Sequence, residues 1–366
     1  MIKVCSRAAA VAIFFSCVAA LAACGRSESP NPDVTASAPI PVKAVVVTMF
    51  EIGEDTGDQA AEFQLWFERR ELDQVFPFAG YHDLHFDSKN GVLVMVTGIG
   101  TARSTASVMM LGMDPRFDLS KAYWLVAGIA GVDPEDASIG SAAWAEYLVD
   151  GDLAHEIDPR EMPEDWAYGY LARYTDEPFD EQKPEPSGEM FQTNSELTEW
   201  AYQLTKDLEL IDFESLEETR ALYTQHPNAQ RPPFVLKGDH LAAMTFWHGS
   251  ILNDWANEWV DYWSDGKGEF VTSAMEDTGT MQALTWLTKA GRADRDRLMV
   301  LRTASNYTMP PPGVDAATNL LSENEGYAGL DASLESAYLV GSTVIDAIVE
   351  NWDKFEMQTP SIEDLN

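Results

Sequence analysis

Seven stretches of this chain are rich in apolar and β-branched residues, and several of them are apolar at odd and even positions alike. They are "VKAVVVTMF" (42–50), "VLVMVTGIG" (92–100), "AYWLVAGIAG" (122–131), "AAWAEYLVD" (142–150), "FVLKGDHLAAM" (234–244), "EFVTSAM" (269–275) and "RLMVLRTAS" (297–305). A strand with one wet face alternates, so a strand that does not alternate has to be covered on both faces. Amphipathic stretches at 58–72, 101–112, 195–208, 215–225, 248–263, 276–290 and 331–352 supply the cover. The alternation predicts a three-layer α/β/α domain. Thr193–Glu196 and Ser215–Glu218 have the spacing of capping boxes and mark two helix starts.

The N-terminal segment reads differently. "MIKVCSRAAAVAIFFSCVAALAAC" has Lys3 and Arg7 in front of an apolar run from Ala8 to Ala23, the layout of an export signal over residues 1–23. The ending "LAAC" resembles the bacterial lipoprotein box, which implies a lipid on Cys24, membrane anchoring through it, and a place in the bacterial cell envelope facing the periplasm. Residues 24–42, rich in Ser, Pro and Ala, are expected to be a tether, with one domain over 43–366. No further apolar run near the roughly 20 residues of a membrane span is evident. Proline-broken excursions at 151–193 and 224–234 are candidate lids.

Composition excludes several functions. Past the signal, Cys24 is the sole cysteine, so a catalytic thiol, a disulfide scaffold and a thiolate metal site are ruled out. Losing Lys3 and Arg7 takes the formal charge from −36 to −38. Nucleic acid is therefore not an expected partner, because its phosphates need Lys and Arg.

Three strand ends stop at glycine or small polar residues just before a helix or turn: "TGIGTARSTAS" (97–107), "AGIAGVDPEDASIG" (127–140) and "TASNYT" (303–308). Ligands of open α/β sheets collect at such ends. In order and content these segments, with "VVVTMFE" and "VTSAMEDTGTMQAL", resemble the nucleoside phosphorylase superfamily. "TGIGTARSTASV", "SAMEDTGT" and "LRTASNYTMPP" resemble, within it, the purine nucleoside permease family of exported fungal and bacterial proteins. The resemblance implies a nucleoside-phosphorylase-like fold with a central mixed, partly barrel-like sheet.

Roles follow from the resemblance residue by residue. Met275 and Glu276 match the pair that holds a ribose, and Asn306 matches the position at the imidazole edge of a purine. An amide N–H there can meet the charge that develops on N7 as the glycosidic bond stretches, although an amide cannot protonate the base. Thr97, Gly98, Gly100 and Arg103 match a loop cradling phosphate or water, and Ala127 and Gly128 a base-side loop. The first loop departs from the phosphorylase pattern, offering Glu51, Glu54, Asp55 and Asp58. Such acids repel phosphate but can deprotonate water, which makes Glu51 a catalytic candidate and leaves hydrolysis open beside phosphorolysis.

The remaining candidates read as structural. His82 and His85 of "YHDLH", on a strand, would face opposite ways, so no metal site is expected. Arg302 is expected to balance an internal carboxylate, and Trp247, Trp255, Trp259 and Trp263 to be core. Two function classes emerge. One is a protein that binds a purine nucleoside and cleaves its N-glycosidic bond, with no cofactor except inorganic phosphate as a co-substrate. The other is a non-catalytic nucleoside-binding component serving a separate inner-membrane transporter. A homo-oligomer is open to either.

Overall fold

A computed structural model describes residues 38–365. The signal segment and Cys24 lie outside the described residues. The twelve-stranded sheet comprises β1 (Ala44–Thr48), β2 (Gln74–Phe76), β3 (Leu84–Asp87), β4 (Val92–Val96), β5 (Tyr123–Val132), β6 (Ala142–Ala145), β7 (Tyr147–Asp150), β8 (Met190–Gln192), β9 (Val235–Lys237), β10 (Asp239–Ala242), β11 (Phe270–Ala274) and β12 (Leu298–Tyr307). The helices used below are α1 (Gln64–Arg69), α2 (Thr101–Gly112), α3 (Ser195–Thr205), α4 (Glu214–Arg220), α5 (Ser250–Ser264), α6 (Asp277–Lys289), α7 (Ala316–Ser322) and α8 (Leu330–Glu350). All seven expected strands form. Two of them break, at Glu146 and Gly238, into β6–β7 and β9–β10.

β5 is where the sheet forks. Its first half pairs in parallel with β1, its last residues pair antiparallel with β11, and along nearly its whole length it pairs in parallel with β12. One branch continues as an open sheet through β1, β4, β3 and β2. The other closes on itself, because β12 pairs with β6, the β6–β7 run pairs with β9–β10, and β10 pairs with β11. The sheet is thus a mixed barrel with an open wing.

The doubled apolar parity has its expected cause. Val45 and Val47 of β1 pack into a cluster with Val108, Leu111, Leu284 and Leu287 of α2 and α6. Ala44 and Val46 face the other way, onto Trp66, Trp200, Val344 and Ile348 of α1, α3 and α8. Trp255, Trp259 and Trp263 of α5 are buried in a further cluster against β7, β10 and β11. Against the expectation of no further run of that kind, α8 is long and apolar enough to cross a membrane; 56% of that window is buried.

Three local expectations are corrected. The cap of α3 is Asn194, whose side chain accepts from the backbone N–H groups of Glu196 and Leu197, and α4 starts at Phe213 with no side-chain cap. Capping-box spacing recurs by chance in Ser- and Glu-rich sequence, so it located the starts without identifying the caps. The tether ends before residue 42, since Ile40–Pro41 pairs in parallel with Phe117–Asp118 and Val42 is buried.

Candidate functional site

At the ends of β5, β11 and β12 lies a cavity of about 210 Å³. Met49, Glu62, Ile129–Gly131, Met275, Glu276, Arg302, Ser305 and Asn306 line it, with Phe246 and Tyr327 at its edge. Glu276 and Asn306, thirty positions apart in sequence, thus share one cavity.

Two packing details bring Glu276 there. Gly279, in the first turn of α6, lies so close to α2 that a Cβ would come within 2.5 Å of the Thr101 carbonyl. The two helix starts are pressed together, and Glu276 Oε1 accepts from the Gly100 N–H at 2.8 Å. Glu276 Oε2 accepts from Arg302 Nη2 at 2.9 Å. Oε2 also accepts from the Met275 N–H at 3.3 Å, so Oε1 is the oxygen that keeps a lone pair for a ligand hydroxyl.

Arg302, 1% exposed, organises the floor of the cavity. Besides Glu276, it donates to Asp277 through Nε (3.1 Å) and Nη2 (2.7 Å), and through Nη1 to the Ile129 carbonyl (2.9 Å). Burial alone would raise the pKa of Asp277, but the charges of Arg302 and His240 outweigh it and hold the group well below the carboxylate range. His240 Nε2 stands 2.9 Å from Asp277 Oδ2 and His240 Nδ1 2.9 Å from Thr272 Oγ1. The expectation that Arg302 balances an internal carboxylate is met by two of them.

Asn306 reaches the cavity through a bulge. β12 keeps register with β5 up to Ala304–Ala130, then skips Ser305 so that Asn306 pairs with Gly131. A bulge re-aims side chains, and here consecutive Ser305 and Asn306 both line the cavity. The Ser305 hydroxyl donates to Asn306 Oδ1 at 2.9 Å. That leaves Asn306 Nδ2 with two long contacts, to the Tyr307 carbonyl at 3.4 Å and to Glu323 Oε2 at 3.5 Å. Burial pushes the Glu323 carboxyl up to about 7, against the lowering effect of the Asn306 contact.

Glu51 does not line the cavity. Its carboxylate accepts from the backbone N–H groups of Ile52, Ala61, Phe63 and Gln64 at 2.6–3.1 Å, tying the loop after β1 to the start of α1. The acid of this loop that does line the cavity is Glu62, which was not among the expected site residues. Glu62 Oε2 accepts from the Met49 N–H at 2.7 Å and Oε1 from the Ile129 N–H at 2.8 Å. Burial drives its pKa from 4.5 up to about 8; the Arg302 charge works against that rise and Glu276 adds to it. A signal was available, because Glu62 is the lone acid in the apolar run "AAEFQLWF" (60–67).

Most residues of the two glycine loops lie off the cavity lining. Ala127 is core, and at Gly128 a Cβ would come within 2.7 Å of Glu62 Oε1 and 2.8 Å of Arg302 Nη1, so this glycine lets both side chains approach the strand. The lining falls two residues later, at 129–131, because β5 runs on to Val132. Thr97, Gly98 and Arg103 are not among the lining residues; Thr97 is buried and Arg103 exposed, and the loop presents Ile99 instead. Neither excursion, 151–193 or 224–234, contributes a lining residue. The cavity edge is formed by Phe246 and Tyr327, whose rings lie parallel within 7° at 6.2 Å between centroids.

His82 and His85 also depart from expectation. β3 begins only at Leu84, so His82 sits in the preceding turn and both rings come to the same side. Asp55, His82 and His85 place ligand atoms within 4.8 Å of one another.

Comparisons with known proteins bear on this site. Residues 41–360 match the family described as purine nucleoside permease (NUP). A purine nucleoside permease of Candida albicans is 32% identical over 320 residues, covering 85% of this chain and 76% of that protein. A probable purine nucleoside permease of Schizosaccharomyces pombe is 29% identical over 282 residues, 74% of this chain and 80% of that one. Two solved Helicobacter pylori structures share the fold. A 5'-methylthioadenosine/S-adenosylhomocysteine nucleosidase with 5'-methylthioadenosine in the active site aligns at TM-score 0.51 and 15% identity, covering 84% of this chain and 99% of that one. A futalosine hydrolase aligns at 0.50 and 16%, covering 84% and 98%.

The expected bacterial, lipid-anchored periplasmic location is overturned by these relatives, which are proteins of fungi. A four-residue "LAAC" box is a short motif, and it does not set a compartment against a match over hundreds of residues. With that match running from 41 to 360, the chain belongs to the purine nucleoside permease family.

Proposed function

We propose that the chain binds a purine nucleoside in this cavity and hydrolyses its N-glycosidic bond. The observation that carries the reading is that Glu276, Asn306 and Glu62 line one cavity. Glu276, with Met275 beside it, holds the ribose by accepting from a sugar hydroxyl on the Oε1 lone pair that Gly100 leaves unused. Asn306 Nδ2 donates to purine N7, where negative charge builds up as the bond to C1′ lengthens.

Water is the nucleophile. Its oxygen bonds to C1′ as the C1′–N9 bond breaks, its proton passes to the ionised form of Glu62, and the purine anion takes a proton from solvent. A carboxyl with a pKa near the working pH suits proton transfer. Phosphate fits less well. Arg302 is the cation lining the cavity among the described residues, and its charge is already engaged by Glu276 and Asp277. A phosphate dianion would meet carboxylates without a free positive partner.

The test is incubation of the protein with inosine, guanosine and adenosine, with and without inorganic phosphate, followed by measurement of free base. Base released equally in both conditions is expected. Release only with phosphate would replace hydrolysis by phosphorolysis. Tight binding with no base would favour the nucleoside-carrier reading, which the family's permease name motivates.

A further inference from the structure

We propose that Asp55, His82 and His85 form a divalent-metal site of the zinc type, which clamps the loop carrying Glu62 onto strand β3. The chemistry of the donor set points there first. Two imidazoles and one carboxylate, with a fourth position open to water, are a recurring set for Zn²⁺. His82 Nε2 lies 2.7 Å from Asp55 Oδ1, and His85 Nε2 lies 3.6 Å from Asp55 Oδ2. Donor atoms on one tetrahedral zinc stand about 3.3 Å apart, given bonds of roughly 2.0–2.2 Å. The three atoms, all within 4.8 Å, need only small side-chain rotations to meet around an ion.

The hydrogen bonding of the two rings supports the same assignment. His82 Nδ1 lies 2.8 Å from the Asp83 carbonyl, and an N–H donated there leaves a lone pair on Nε2, directed at a carboxylate. Two lone-pair donors facing each other are satisfied by a cation between them. This use of Nδ1 on a backbone carbonyl is the usual way a ligating histidine is oriented. His85 is 4% exposed, its Nδ1 has no hydrogen-bond partner among the described residues, and its Nε2 is beyond hydrogen-bond distance of Asp55. A buried imidazole with no hydrogen bond needs a partner, and a metal on Nε2 is one.

The position of the cluster says what the ion would do. Asp55 lies in the loop between β1 and α1 that ends in Glu62, whereas His85 is on β3. Phe63 packs on both imidazoles, 5.1 Å from His82 and 5.0 Å from His85, and its neighbour Glu62 faces the cavity. An ion joining Asp55 to the histidines therefore fixes the loop on the far side of Phe63 from the cavity. The clamp is independent of whether the chain cleaves or only carries its ligand, and its test uses no nucleoside.

The full chain, stripped with EDTA, is titrated with ZnCl₂ alone by calorimetry at high ionic strength, which screens the acidic surface. One ion per chain is expected, and CoCl₂ in its place should give the visible ligand-field absorption of a four-coordinate site. His82→Gln and Asp55→Asn, both at partly exposed positions, should each raise Kd by about tenfold or more while leaving the circular dichroism spectrum unchanged. Asp55→Asn alters charge with almost no change of volume, so it carries the test even if a histidine variant misfolds. Zn²⁺ should also slow amide hydrogen exchange across residues 52–63 in the parent chain. Absence of stoichiometric binding, or binding indifferent to both substitutions, overturns the site. Binding there without slowed exchange overturns the clamp.

Discussion

The ends of β11 and β12 and the loop after β1 both contribute an acid or an amide to the same cavity, yet they were unequally readable. At the strand ends, Met275, Glu276 and Asn306 line the cavity where the sequence placed them. In the loop, Glu51 was expected and Glu62 is found. The difference is one of constraint. A residue at the end of a buried strand is carried to the ligand-binding edge of the sheet by the strand itself, although the aim of Asn306 there is set by the bulge at Ser305. A carboxylate in a loop turns toward whichever donors the folded chain offers, and four backbone N–H groups claimed Glu51.

The largest effect tests whether the strand-end region is as firmly built as it looks. Arg302→Met leaves Glu276 buried without its cation and Asp277 with His240 alone, and should destabilise the fold by about 3–5 kcal/mol, read by urea denaturation. A loss below about 1 kcal/mol would mean that the cluster is hydrated and loosely held.

Next is the loop acid. Glu62→Gln should lower kcat/KM for nucleoside hydrolysis by about 100- to 1,000-fold with little change in KM. In the parent protein activity should climb with pH toward a midpoint near 8, the pKa of Glu62, and the variant should lose that limb. Stability should run the opposite way. The folded state holds the Glu62 proton more tightly than the unfolded chain, so this contribution is complete below about pH 4.5 and disappears as pH rises through about 8. Its slope is at most about 1.4 kcal/mol per pH unit, and Glu62→Gln should flatten it.

Asn306→Ala should reduce kcat by about 10- to 100-fold, because one N–H toward the leaving base is lost. Asn306→Asp, which adds an acid able to protonate the base, should shift the preference among purines; an unchanged ratio of adenosine to inosine rates would remove Asn306 from the base side. The smallest effect separates the two loop acids. Glu51→Gln should cost about 1 kcal/mol of stability through weaker capping of the α1 start and leave kcat unchanged. A fall in kcat as steep as that of Glu62→Gln would reverse their assignment.

Much of the architecture was legible because it rests on patterns local to each segment. The parity of "AVVV" in β1 and "VLVMV" in β4 announces cover on both faces, and the helical spacing of Trp255, Trp259 and Trp263 announces a buried stripe. Less legible were features that depend on distant partners. The bulge at Ser305 is visible only against β5, and the cavity lining falls at 129–131, two residues later than expected, because of how far β5 continues. The excursions are long and irregular, the pattern of a lid, yet the aromatics that line the cavity, Phe246 and Tyr327, come from short loops that no such pattern marks. His82 and His85 were assigned to opposite faces of one strand; the strand starts too late to hold both.

Residue order alone therefore determined that this chain builds a sheet covered on both faces and that a carboxylate and an amide end two of its strands. Alternation and helical period are short-range consequences of backbone geometry, and they survive translation into one dimension. Tertiary structure alone decided which acid faces the cavity, which charges Arg302 neutralises, and that Asp55 meets two histidines. Those outcomes depend on which donors and acceptors segments far apart in sequence bring within about 3 Å of one another, a distance no local pattern encodes.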